Sequence, residues 1–240
     1  MTNYDLFSKH FDELMGNPID KTKRIENYIK QNSPKAKSVL DIGCGTGSIL
    51  YNLPNKYDKT GIDLSANMLS IAKQKVKSAK FYQYDMTAFK FEKKFDVILC
   101  IYDSINHLLH FKDWEKLFHN VKSHLNENGL FIFDVNTTFY LKKLSKLQQQ
   151  LQPFGKNGKH FYSISVTQIK DTIFNWSVKI FEHQQANKYL LSEENIPESC
   201  FPISKIKDTL RKDFKTIFAE SNERGKPSPF SERIWYLCKN

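Results

Sequence analysis

Apolar residues recur along this chain in two rhythms, and the order in which the rhythms alternate outlines the fold. Short, nearly continuous apolar runs at 38–42, 59–64, 80–84, 95–101 and 130–135 read as buried strands. Between them, apolar residues return every three or four positions. Ile25, Tyr28 and Ile29 mark a helix over 20–31 that Asn32-Ser33-Pro34 ends; Ile49, Leu50 and Leu53 mark a short one stopped by Pro54. Met68, Leu69 and Ala72 follow a capping Ser65, and Trp114, Leu117, Phe118, Val121 and Leu125 lead up to a stop at Asn128-Gly129. Ahead of all these, Tyr4, Phe7, Phe11, Leu14 and Met15 predict one amphipathic helix over 1–17. Strands alternating with helices predict an α/β fold with a doubly wound parallel sheet.

After residue 150 the rhythm changes. Tyr162, Ile164 and Val166 alternate with polar residues, Asp171-Thr172 turns the chain, and Phe174, Trp176, Val178 and Ile180 alternate again. With 189–191 this predicts an antiparallel meander of about three strands, apolar on one face. A helix through Ile206 and Leu210 and strands at 214–218 and 234–238 close the chain. The expected division is a main domain of 1–155 with 201–240, and a small β cap of 156–200.

The first strand ends in VLDIGCGTG, where Asp41 is followed by Gly43, Gly45 and Gly47 on alternate positions. Glycine is required where the backbone takes a positive φ or where something touches the main chain, so two readings stand: a tight structural turn or a nucleoside-type ligand. Ser48 occupies the position of the last glycine of a dinucleotide fingerprint, and the lysine of a P-loop is missing. Asp63 ends the second strand twenty residues after Gly43, a spacing that suits either a helix-start acid or an acceptor for both ribose hydroxyls. Asp85-Met86 follows the third strand, Tyr102–His107 follows the fourth, and Asp134 and Asn136 close the fifth. Open α/β sheets bind ligands beyond these carboxyl ends.

The run D-x-G-x-G-x-G after a strand resembles motif I of class I S-adenosylmethionine (SAM) dependent methyltransferases. The opening Tyr4–Met15 is similar to the YDxFAxxYDxLM start of small-molecule methyltransferases, whose N-terminal helix covers SAM; Phe11 replaces the second tyrosine. Asp103-Ser104-Ile105-Asn106-His107 resembles a D-S-x-N-Y segment, and Ser231–Leu237 resembles the T-E-R-x-x-Y-x ending, of a subgroup that includes sugar N,N-dimethyltransferases and relatives of glycine N-methyltransferase. The resemblance implies a Rossmann-like seven-stranded sheet, mostly parallel with an antiparallel C-terminal strand, and an antiparallel β cap inserted after the fifth strand as a roof over the acceptor. It implies SAM as cofactor, S-adenosylhomocysteine as product, and an acid after the third strand for the adenine amino group. Candidate cofactor contacts are Tyr4, Asp41, Gly43, Cys44, Gly45, Gly47, Asp63, Leu64, Met68, Asp85, Met86 and Ile101. Candidate acceptor contacts are Asn106, Asn136, Trp176 and Arg233, and candidate catalytic residues are His107, Asp103 and Tyr102. His107 reads either as a proton acceptor or as a histidine bonding the backbone at a helix start. The chain departs from the subgroup at 195–199, where relatives carry a histidine and an arginine, so the acceptor need not be the same.

Composition narrows the remaining classes. The 240 residues suffice for one large domain with an insertion. No basic-then-apolar leader and no membrane-length apolar run occurs, so a cytoplasmic enzyme is expected, as monomer or homodimer. Cys44, Cys100, Cys200 and Cys238 are scattered without metal spacing, and no metal is expected. The net charge of +10 invites a nucleic-acid partner, but the excess is dispersed lysine, with arginine only at 24, 211, 224 and 233. The expected function is methyl transfer to a small-molecule acceptor, an amine nitrogen first. The rivals are an RNA or other nucleic-acid methyltransferase and a non-catalytic SAM-binding protein.

Overall fold

The computed structural model describes Tyr4, residues 6–223 and residues 225–240. In chain order its elements are α1 (Phe11–Met15), α2 (Ile19–Asn32), β1 (Ser38–Ile42), α3 (Ser48–Asn52), β2 (Asp58–Asp63), α4 (Ala66–Lys75), β3 (Ala79–Gln83) and β4 (Phe95–Cys100). Then follow α5 (Phe111–His124), β5 (Leu125–Asn136), α6 (Thr138–Leu144), β6 (Gln152–Phe154), β7 (His160–Lys170), β8 (Ile173–His183), β9 (Tyr189–Ser199), α7 (Ile203–Asp213), β10 (Thr216–Ser221) and β11 (Arg233–Lys239).

Seven strands form one sheet in the order β10-β11-β5-β4-β1-β2-β3, and β11 alone runs against its neighbours. The central strands are apolar throughout because helices cover both faces, and successive side chains go to opposite sides. Leu40, Ile42, Ile98 and Phe133 pack under Trp114, Phe118 and Leu210 of α5 and α7; Val39, Val97, Leu99 and Ile132 pack under Ile25, Ile29 and Leu69 of α2 and α4. Each such fully buried side chain contributes about 1.5–3 kcal/mol. The chain runs outward from β1 to β2 and β3, then returns to the other flank for β4 and β5. This reversal leaves a crevice between the carboxyl ends of β1 and β4, where the glycine turn and Tyr102 lie.

Three expectations need correction. The single helix over 1–17 is two short pieces in its described part: a 3-10 turn at Ser8–His10 and then α1, which Gly16 ends at φ +71°; residues 1–3 and 5 lie outside the described residues. Phe7 is buried in the cap, whereas Met15 is exposed. The fifth helix stops at His124, before Asn128-Gly129. Leu125 already pairs with Phe95, and the ladder resumes at Val97 with Leu130, so Asn128 at φ +61° turns an irregularity inside β5 and caps nothing. The meander has four strands, β6-β7-β8-β9, and β9 reaches Ser199. The segment 195–199 is therefore edge strand, where Pro197 is tolerated because the missing N–H faces no partner strand.

Candidate active site

The glycine turn takes the shape its residues require. Gly43, Gly45 and Gly47 all have positive φ, at +67°, +52° and +76°. A Cβ on Gly43 would come within 2.8 Å of Ser104, whereas one on Gly45 would meet nothing within 4 Å among the described residues. Gly45 therefore presents bare backbone to open space. That space is a cavity of about 270 Å³, lined by the turn, by Asp63, Leu64 and Met68 beyond β2, by Asp85 and Met86 beyond β3, and by Ile101, Tyr102 and His107 beyond β4. Tyr4 and Phe11 close it from the N-terminal segment. The sequence-predicted cofactor residues Asp41, Gly43, Cys44 and Gly45 line the same cavity; Gly47 sits behind it against Ala72 and Phe81.

Its electrostatics follow from burial. The Asp63 carboxylate accepts from Gly45 N at 2.8 Å and from Ser65 N at 2.9 Å. Burial raises its pKa, and those backbone donors oppose the rise. Asp41, deeper in β1, is pushed up to about 8 by burial and by the charge of Asp63. Asp85 accepts from both the N–H and the hydroxyl of Thr87, at 2.7 Å each, which turns the loop into the cavity wall. Burial pushes the Cys44 thiol well up, leaving a small apolar side chain and no nucleophile.

Two adjacent non-glycine residues, Tyr102 and Asp103, hold left-handed backbone at φ +62° and +51°. Such conformations cost about 1 kcal/mol or more each and mark a segment held for position. The following 3-10 turn places His107 against the N-terminal segment, its Nε2 3.0 Å from the Tyr4 hydroxyl and its Nδ1 3.4 Å from the Pro197 carbonyl. Burial lowers the His107 pKa, with Asp103 opposing. Nδ1–H thus donates to Pro197, and Nε2 accepts from Tyr4.

The predicted acceptor residues lie in a layer behind the cavity. Asn106 is fully buried, and its amide donates to the carbonyls of Asn136 at 3.1 Å and Ser199 at 2.7 Å while accepting from Asn136 N. It ties β5 to β9 and has no polar group free for a ligand. Asn136 Nδ2 donates to Glu198 at 3.1 Å, Trp176 packs in the cap with Val178 and Ile180, and Arg233 joins Asp103 and Asp134 at 2.6 Å each. Side chains that meet across sheets in this way cannot be paired from spacing alone.

Several residues at the site carry little signal in the sequence. Lys21 stands 3.6 Å from the centre of the Tyr102 ring and 3.5 Å from Asp134. Asp12 accepts from Thr46 at 2.5 Å and from Ser48 at 2.9 Å and pairs with Lys75, so the N-terminal segment is latched to the glycine turn. On the cap side Glu194 accepts from the N–H groups of Leu6 and Phe7. Glu198 was the least visible of these, although extending the alternation past Leu191 places it on the face of Ile196.

A glycine turn and strand-tip acids gathered around one cavity at a topological switch point define a nucleoside-binding α/β protein. A methyltransferase-domain family model matches residues 39–129. YqeM of Bacillus subtilis is 29% identical over 250 residues, 98% of this chain and 96% of that protein. A SAM-dependent methyltransferase of Clostridium acetobutylicum superimposes with a TM-score of 0.81 at 29% identity, over 98% of both chains. A dTDP-3-amino-3,6-dideoxy-alpha-D-glucopyranose N,N-dimethyltransferase of Streptomyces fradiae is 31% identical over 107 residues, 44% of this chain and 42% of that one. The chain belongs to the SAM-dependent methyltransferases, and SAM is its cofactor. The cavity fits that cofactor: the bare backbone of Gly45 admits close approach, and the Asp63 carboxylate beside it is an acceptor for hydroxyls. Among the described residues no helix is long and apolar enough to cross a membrane, and no group of three His, Cys, Asp or Glu is placed to hold a metal.

Proposed function

We propose that the enzyme methylates an amine nitrogen of a small molecule held between the cavity and the four-stranded cap. The observation that carries this reading is that, among the described residues of the Tyr102–His107 turn, neither candidate base is free. Both His107 ring nitrogens are engaged, and Asp103 is paired with Arg233. A neutral amine already owns the lone pair that attacks, whereas a hydroxyl must surrender a proton as it reacts. Bound SAM supplies a methyl group activated by its sulfonium charge. The chain supplies alignment and dryness: Asp63 holds the ribose, Tyr4 and Tyr102 offer ring faces to positive charge, and the latched N-terminal segment excludes water. The cap over residues 152–199 roofs the acceptor, and the amino-sugar substrate named for the Streptomyces fradiae relative fits the same chemistry. Four unpaired, buried thiols support a reducing compartment, the cytoplasm.

Incubation with SAM and a panel of amino sugars, simple amines and their hydroxyl counterparts, followed by mass spectrometry, tests this. Methyl groups on nitrogen are expected; methylation confined to hydroxyls, or salt-dependent methylation of RNA, overturns it. His107→Ala gives a second measure. Released from Nε2, Tyr4 loses its position, and kcat is expected to fall about tenfold, with a smaller loss of SAM affinity. A loss on the order of 10²–10⁴-fold in kcat would instead mark a general base and favour an oxygen acceptor.

A further inference from the structure

Behind the cavity, charged side chains converge from α2, β5, β11 and the turn after β4. Arg233 opens β11, and the register sets it opposite Asn136, so Asp134, two residues back along β5, is its diagonal neighbour on the same face. Arg233 Nη1 donates to Asp134 Oδ2 at 2.6 Å, and Nη2 pairs with Asp103 Oδ1 at 2.6 Å, so one planar fork joins two carboxylates. The Asp103 N–H in turn donates to Asp134 Oδ1 at 3.1 Å. These contacts close a ring, from the Asp103 backbone to Asp134, from Asp134 to Arg233, and from Arg233 back to the Asp103 side chain. Lys21 of α2 adds a tie to the neighbouring residue, its ammonium standing 3.5 Å from Asp134 and 3.6 Å from the centre of the Tyr102 ring.

The ring encloses strained backbone. Tyr102 and Asp103 are adjacent non-glycine residues with positive φ, and such a pair persists only where its surroundings over-determine it. Here Asp103 is gripped at both its N–H and its carboxylate, and Tyr102 at its aromatic face. Asp134 is fully buried and Arg233 largely so. Taking two carboxylates and two cations out of water offsets most of what their pairing returns, so the cluster is a poor source of stability. What it fixes is geometry, because a guanidinium that bridges two acids sets both their distance and their angle.

We propose that Arg233 is a positioning residue for the cofactor: from outside the cavity, it closes the ring that holds Tyr102 and Ser104 against the glycine turn. Among the described residues the cavity wall includes Tyr102 and Ser104 but not Asp103, Asp134 or Arg233. Ser104 follows the clamped pair directly. Its hydroxyl donates to the Ile101 carbonyl at 2.7 Å, and its side chain leaves no room for a Cβ on Gly43. The turn after β4 and the glycine turn after β1 are thus in contact, and a shift of one displaces the other. In this way the C-terminal strand acts on a cavity whose wall it does not form. The inference rests on SAM as cofactor and on no particular acceptor.

The test compares wild type, Arg233→Gln, Arg233→Lys and Leu237→Ala as the full chain, by calorimetry with S-adenosylhomocysteine and by amide hydrogen exchange over 102–107. Leu237 is buried on the same strand, packs on the side of α2 and α4, and belongs neither to the ring nor to the cavity wall. Its truncation gives a destabilised β11 with the ring intact. Arg233→Gln opens the ring and leaves two carboxylates facing one lysine. Affinity for S-adenosylhomocysteine is expected to fall about tenfold, and exchange over 102–107 to quicken several-fold. Lysine keeps the charge without the planar fork, so Arg233→Lys should still lose about threefold in affinity. Leu237→Ala should lower the thermal midpoint by several degrees and, at a temperature where it is folded, bind S-adenosylhomocysteine as the wild type does. Wild-type affinity or wild-type exchange in Arg233→Gln, or an equal loss of affinity in Leu237→Ala, would overturn the positioning role. Wild-type affinity in Arg233→Lys would overturn the bridge between two carboxylates as its basis. If Arg233→Gln does not fold, Arg233→Lys against Leu237→Ala decides. No readout uses an acceptor, so failure here is distinct from failure of the amine reading.

Discussion

Gly45→Val abolishes SAM binding and leaves a folded sheet. The expectation rests on two separate properties of this position. A Cβ there meets no atom of the described residues within 4 Å, so the valine side chain enters the cavity and not the core, and helix packing on both faces of the sheet is untouched. The backbone at φ +52° is unfavourable for a β-branched residue, at about 1–3 kcal/mol, a cost the buried core tolerates. The same strain shifts the Gly45 N–H away from Asp63. Calorimetry with S-adenosylhomocysteine should show no heat of binding, while circular dichroism retains the native spectrum. Wild-type affinity in this variant would show that the ligand does not approach the turn.

Asp63→Ala is expected to weaken SAM by about 2 kcal/mol, roughly 30-fold in affinity. The carboxylate already holds the turn together, accepting from Gly45 and Ser65, and each oxygen has a further lone pair for a ribose hydroxyl. Truncation removes both services at once. Because burial raises the Asp63 pKa, wild-type affinity should also decline on acidification from a higher pH than for an ordinary aspartate. The ionised form is the hydroxyl acceptor, so the decline comes as pH falls through the raised value. In Asp63→Ala that acid limb should vanish. An alanine variant with unchanged affinity, or one with the same acid limb, would take the ribose role from Asp63.

Both effects depend on residues that were legible before any coordinates. Val39–Gly47, Asp63, Asp85 and Tyr102 lie at the ends of strands whose apolar runs are continuous, and chain order alone places the ends of parallel strands on one edge. Sequence spacing carried these residues because each belongs to a local turn next to a strand. The acceptor side was legible only in part. His107 was singled out by its neighbours, but its partners Tyr4 and Pro197 are 103 and 90 residues away. Asn106 and Arg233 were assigned to a ligand because polar residues near a site invite that reading, yet the fold spends them on ties between strands. The Asn128-Gly129 signal was locally sound and lost to the pairing of Leu125 with Phe95, a tertiary contact outweighing turn propensity.

The sequence by itself determined the alternation of strands and helices, the glycine turn and the strand-tip acids, because each is fixed by contacts within a few residues or by the two-residue and 3.6-residue periods of the backbone. Only the tertiary structure decided that Asn136 meets Glu198, that Asp12 and Lys75 latch the N-terminal segment over the cavity, and that Arg233 serves two carboxylates. Those pairings join residues dozens to more than a hundred positions apart, and their energies depend on burial, a property that no single segment of the chain possesses.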